Sequence, residues 1–161
     1  MLTIKIEWSG PYELEEVISK FGDTGKAPDY DGSDYGLYQI YGEHVLGDRN
    51  ALLYIGKATE QTFSTRFKRH KHWLKDEDPT RIYLGRIYNG RRHVRKDNWE
   101  TWKEDVSLAE RVLIYTYSPH YNSSSITNRP KLAPHKSVKI VNRGEMGRLS
   151  ETNRARDDQG K

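Results

Sequence analysis

Gly36-Leu37-Tyr38-Gln39-Ile40-Tyr41, then a turn at Gly47-Asp48-Arg49-Asn50, then Ala51-Leu52-Leu53-Tyr54-Ile55, is the sequence of a β-hairpin. The first run is aromatic and β-branched, which suits a pleated surface. The second is continuously apolar and of strand length, as expected for a strand buried on both faces. Upstream, Thr3-Ile4-Lys5-Ile6-Glu7-Trp8 alternates as a short strand, broken by Gly10-Pro11. Leu14, Val17, Ile18 and Phe21 recur at helical spacing, and Gly22 to Ser33 has the Gly, Asp and Pro content of a loop. Downstream, Thr62 to Lys75 is expected to be helical and Ile82 to Tyr88 a third strand. Trp99 to Tyr117 is expected as one helix, or as two joined near Asp105–Ser107, stopped by Ser118-Pro119. Val138 to Val141 is a late strand. From Ser150 onward the chain is polar with no apolar face, which predicts a frayed tail. Irregularly interspersed strands and helices predict an α+β domain rather than a doubly wound sheet.

The chain has 161 residues, 27 Lys+Arg, 23 Asp+Glu and no cysteine. That length favours one domain with its own core. The absence of cysteine excludes disulfides, Cys-ligated zinc, iron–sulfur clusters and a Cys nucleophile. No apolar run approaches about 18 residues, so no membrane span is expected, and Met1 to Glu7 does not resemble a secretory signal. A cytoplasmic protein is the expectation. The His residues show no zinc spacing, and the Trp99–Trp102 pair suits core packing.

Charge is distributed unevenly. Residues 1–35 hold 3 Lys/Arg and 8 Asp/Glu, a net of −5, so residues 36–161 carry +9 of the total +4. Basic residues cluster in Arg66–Lys75, in Arg91–Lys96 and between Arg129 and Arg156. Such patches suit either a solvated face or a polyanion, with nucleic acid the first candidate. Lys57, Lys68, Arg69, Lys71, Arg91, Arg92 and Arg95 are the candidate nucleic-acid contacts.

The hairpin contains Gly36-Leu37-Tyr38 and Tyr54-Ile55-Gly56. Arg66 follows ten residues past Gly56, His70 four later, then Glu110 and, twelve on, Asn122. This order and spacing resembles the GIY-YIG nuclease family over roughly residues 35–125. Leu37 stands where the family name has Ile, and the 15 residues between the tripeptides exceed the usual family loop. The resemblance implies a small, mainly three-stranded antiparallel sheet flanked by helices, within a single domain. Residues 1–34 would be an N-terminal strand–helix extension, 35–125 the catalytic core, and 126–161 a basic C-terminal extension.

The resemblance also implies a metal-dependent endonuclease that hydrolyses DNA phosphodiester bonds, of restriction, small repair or mobile-element type. It would use Mg²⁺ or Mn²⁺, and a restriction role would call for a homodimer. By the same resemblance Glu110 is the metal ligand and Arg66 faces the scissile phosphate. Tyr38 and Tyr54 lie at the attacking water, His70 lies near the phosphate or base, and Asn122 supports them.

The chemistry suits these residue types. A pentavalent phosphorus carries extra negative charge, whose stabilisation is usually the largest catalytic contribution. A carboxylate can anchor a hard divalent ion, and the planar guanidinium of Arg66 can grip two phosphate oxygens. Tyr38, its pKa lowered by nearby cations, and His70 are alternative bases. Glu110 has a rival role as the partner of Ser107 in a capping box, Ser107-Leu108-Ala109-Glu110. A non-catalytic nucleic-acid-binding module is the alternative function.

Overall fold

The computed structural model describes residues 1–22, 34–43, 49–74, 80–89, 92–93, 99–122 and 129–157, with the side chains of residues 72, 89, 92 and 93 left aside. The elements run β1 (Leu2–Tyr12), α1 (Leu14–Lys20), β2 (Gly36–Gly42), β3 (Ala51–Ala58), α2 (Phe63–Leu74) and β4 (Arg81–Asn89). They continue with β5 (Arg92–His93), α3 (Trp99–Tyr117), β6 (Ser137–Gly144) and β7 (Thr152–Arg156).

The sheet corrects the expected small three-stranded antiparallel sheet. Six strands lie in the order β3-β2-β4-β1-β6-β7, with β5 paired to β4. The sheet is mixed and curled, because β1 and β6 run parallel while the other pairs are antiparallel. The physical cause is β1. Its alternation buries Ile4, Ile6 and Trp8 on one face. Its two backbone edges bond β4 on one side and β6 on the other. The segment expected as an N-terminal extension is therefore an interior strand. It also runs past Gly10-Pro11 to Tyr12, with a register shift after Ser9.

The C-terminal tail is a second correction, since residues 152–156 form a strand on β6. This strand lacks an apolar stripe and is held by polar bonds. Asn142 Nδ2 donates to Asn153 Oδ1 at 2.8 Å, Asn153 Nδ2 donates to the Tyr117 hydroxyl at 2.7 Å, and Trp8 Nε1 donates to Asn142 Oδ1 at 2.9 Å. Buried polar groups need such partners.

Two cores flank the sheet. On one face α3 packs Val106, Ala109, Val112 and Leu113 against Ile4, Ile6, Trp8, Leu37 and Ile55. On the other, α1 and α2 bring Val17, Phe63, Phe67 and Leu74 against Tyr38, Ile40, Ile82 and Leu84. Burying each large apolar side chain contributes about 1.5–3 kcal/mol. The helix α3 is continuous through Asp105–Ser107, because Trp102, Val106, Ala109 and Leu113 keep one unbroken buried face. Trp99 and Trp102 stack at 4.9 Å. No helix among the described residues is long and apolar enough to cross a membrane.

Candidate active site

The edge strand β3 is where the two faces of the sheet meet. Its free backbone edge is covered by the segment after α3: Tyr121 N–H donates to Leu53 O at 2.8 Å, and Asn122 clamps Ile55. Asn122 Oδ1 accepts from Ile55 N–H, and Asn122 Nδ2 donates to Ile55 O, both at 2.9 Å. Covering an edge in this way satisfies groups that would otherwise seek another strand. Both polar ends of the buried Asn122 side chain serve the backbone of β3, so Asn122 acts as a positioning residue for the strand carrying Tyr54 and Gly56.

Arg66, His70 and Trp73 recur at i, i+4 and i+7 on α2 and form one stripe facing the hairpin. Tyr38 pairs in register with Gly56 across β2 and β3. A Cβ at Gly56 would run into the ring and hydroxyl of Tyr38 and the ring of Tyr54, so glycine there lets both tyrosines occupy this face. The Tyr38 and Tyr54 rings stack at 6.0 Å with a 22° tilt, and Phe67 seals Tyr38 edge-on at 4.8 Å. Tyr38 is fully buried, whereas Tyr54, Arg66 and His70 keep partial exposure.

The polar contacts converge on the Tyr38 oxygen. Arg66 Nε donates to it at 3.2 Å, and His70 Nε2 lies 2.8 Å away. The Trp73 indole N–H, a donor only, reaches His70 Nδ1 at 3.0 Å. Nδ1 must then be the acceptor nitrogen, so neutral His70 carries its proton on Nε2 and donates it to Tyr38. Protonating Nδ1 would break the bond from Trp73. Burial, with the neighbouring Tyr54 next in weight, raises the Tyr38 pKa above the ordinary phenol value, while Arg66 opposes that rise. Arg66 is also held in its charged form by Tyr38 and Tyr54, against the cost of its own partial burial.

Glu110 enters from α3. Burial raises its carboxyl pKa, and Lys57, Arg66 and Arg111 oppose the rise. It also bears electrostatically on Tyr38, so residues from α2, β2, β3 and α3 share one field. The rival capping role fails: Ser107 lies inside α3, and its Oγ accepts from Lys57 Nζ at 2.7 Å. Lys57 and Ser107 border a groove of about 520 Å³ that also passes Arg111.

A divalent ion would find one carboxylate here, and no group of three His, Cys, Asp or Glu exists among the described residues. A single half-buried carboxylate fits a hard ion that keeps several waters and takes its remaining ligands from a phosphate, in competition with the charges of Lys57, Arg66 and Arg111. It does not fit an ion caged wholly by protein.

Among the candidate nucleic-acid contacts, Lys68 and Arg69 are exposed on α2. Lys71 turns to α1 and pairs with Glu15 at 3.2 Å. Arg92 lies in β5, and its side chain, like Arg91 and Arg95, falls outside the described residues. Two residues of this region lacked a functional signal in the sequence. Trp73 falls within the stretch Thr62 to Lys75 expected to be helical, three residues after His70. Tyr121 stood beside Asn122 without a pattern of its own. No family model, curated protein or solved structure matches this chain.

Proposed function

We propose that the chain is a metal-dependent nuclease of the GIY-YIG type that hydrolyses phosphodiester bonds of DNA. The observation carrying this reading is the convergence of Arg66 Nε and His70 Nε2 on the Tyr38 oxygen, with Glu110 in the same field. Burial raises the Tyr38 pKa, and the charged Arg66 donor on its oxygen opposes that rise by favouring the phenolate.

The tautomer of His70 favours Tyr38 over His70 as the base, because Trp73 occupies the nitrogen that would accept a proton. His70 then steadies negative charge on Tyr38. A phosphate arriving at the partly exposed Arg66 draws its guanidinium off the Tyr38 oxygen and onto its own oxygens. Arg66 grips them with a planar fork that Lys cannot reproduce. The vacated lone pair of Tyr38 takes the proton of the attacking water. The new bond forms between that water oxygen and phosphorus as the P–O bond to the leaving oxygen breaks. The departing oxygen takes its proton from solvent. Glu110, as the carboxylate, would hold Mg²⁺ or Mn²⁺, which supplies Lewis-acid charge neutralisation when bound. Exposed Lys68 and Arg69 supply sequence-independent attraction to the phosphate backbone.

The test is incubation with supercoiled plasmid in Mg²⁺ and in EDTA. Wild-type protein should nick the plasmid only in Mg²⁺, and Glu110→Gln should bind DNA yet leave it intact. Retention of plasmid by the wild type without nicking would select the non-catalytic binding module instead. Cleavage by Glu110→Gln at the wild-type rate would remove Glu110 from the site.

A further inference from the structure

Beside the tyrosine pair lies an open groove of about 420 Å³ lined by Tyr54, His70, Trp73 and Tyr121. Among the described residues, each of these walls is an aromatic ring. Trp73 meets Tyr121 edge-to-face at 5.7 Å and 82°, and meets Tyr54 at 6.2 Å. Tyr121 is 39% exposed, one of few large apolar side chains among the described residues left in solvent. The Trp73 indole N–H is spent on His70, so the indole lines the groove as a ring and not as a donor. The backbone of Tyr121 is pinned to Leu53, so this wall is held against the rim of the site. Arg69, at i−4 from Trp73 on α2, places a positive charge on the same side of the helix.

We infer that this groove receives one unstacked nucleobase of the substrate strand, next to the phosphate held by Arg66. The occupant follows from three features of the groove. It is continuous with the site through Tyr54 and His70. A neighbouring cation suits the backbone that carries the base. Its walls offer π-faces, on which any base can stack. A base enters such a groove only after leaving its duplex stack. The inference rests on the nuclease reading and names its substrate class: DNA with an unpaired or extruded base at the cleaved step, as at a loop, flap or mismatch.

The experiment compares binding of wild type, Tyr121→Ala and Tyr121→Phe to two probes in EDTA. One probe is a single-stranded thymidine 12-mer, the other a fully paired 12-base-pair duplex. Thermal melts check that each variant is folded. Tyr121→Phe should bind the single strand as wild type does. Tyr121→Ala should lose about 5–150-fold, the affinity that one base–aromatic stack carries. Its loss on the duplex should stay within about twofold. Undiminished single-strand binding by Tyr121→Ala overturns the proposal, as do equal losses on both probes, which would make Tyr121 a general backbone contact. Irradiation of the 12-mer carrying one central 5-iododeoxyuridine should cross-link Trp73 or Tyr121. Cross-links confined to other residues overturn it too. Failure of the nuclease reading would show separately, as absence of Mg²⁺-dependent plasmid nicking by wild type.

Discussion

Strand β2 carries two buried tyrosines three residues apart, and they end in different surroundings. Tyr41 donates to Gln39 Oε1 at 2.5 Å and accepts from Arg148 N–H at 2.8 Å, while Gln39 in turn donates to Met146 O at 3.2 Å. That side of β2 is a closed circuit tying the strand to the C-terminal turn. Burial pushes the Tyr41 pKa up to about 12, against the Arg148 backbone N–H and charge; its hydrogen bonds run to an amide oxygen and a backbone N–H. Tyr38 meets a cation and an imidazole N–H, and it lies beside partly exposed Tyr54, Arg66 and His70. Burial alone therefore does not mark a functional tyrosine. What distinguishes the two is which partners reach the oxygen: fixed backbone and amide groups on one side, charged and titratable groups on the other.

Arg66→Lys breaks this contrast most sharply. It keeps the charge and removes the planar fork that grips the phosphate, so cleavage should fall about 10²–10³-fold, the usual loss of one charge-stabilising donor. Single-turnover rates on plasmid in Mg²⁺ would read it. A rate within twofold of wild type would make Arg66 a surface charge.

The pH dependence comes next in size. Burial raises the Tyr38 pKa above the phenol value, so its phenolate is the minor form at neutral pH. That form grows about tenfold per pH unit, and the wild-type rate should climb accordingly from pH 6 to 9. A rate that levels off above about pH 6.5 would instead report His70 as the base.

The smallest effect concerns stability. Burial raises the Glu110 pKa. A carboxyl whose folded-state pKa exceeds its unfolded value favours folding when protonated, and that advantage disappears as pH rises through the folded pKa. At pH 7 without metal, Glu110→Gln should then melt at or slightly above the wild-type temperature, by up to about 4 °C. A fall of several degrees would mean that the carboxylate holds the fold together.

The sequence exposed the site better than the sheet. The β2–β3 hairpin and the stripe Arg66–His70 depend on local spacing, and local spacing is written in consecutive residues. Glu110 had two readings because Ser107 imitated a helix start; the unbroken buried face of α3 removes the capping one. Strands β1 and β6 pair in parallel across 136 residues, Leu2 with Val138 through Trp8 with Gly144, and no periodicity reports such a partner. Strand β7 was hidden for another reason. Asn142, Asn153 and Tyr117 hold it by hydrogen bonds, and a strand fixed through polar groups looks like a solvated tail. Lys71 pairs with Glu15 on another helix, a partner that local spacing does not report.

The most direct test compares the two tyrosines by the same change. Tyr38→Phe and Tyr41→Phe each remove one hydroxyl from a buried ring. Single-turnover plasmid cleavage in Mg²⁺ and a thermal melt should be measured on both. The site described here predicts that Tyr38→Phe folds and melts close to wild type but loses cleavage by at least about 10²-fold. Tyr41→Phe should cleave normally yet melt lower by about 2–10 °C, since it strands Gln39 and the Arg148 N–H, at about 1–3 kcal/mol. Full cleavage by Tyr38→Phe would contradict the account, whatever the melts show.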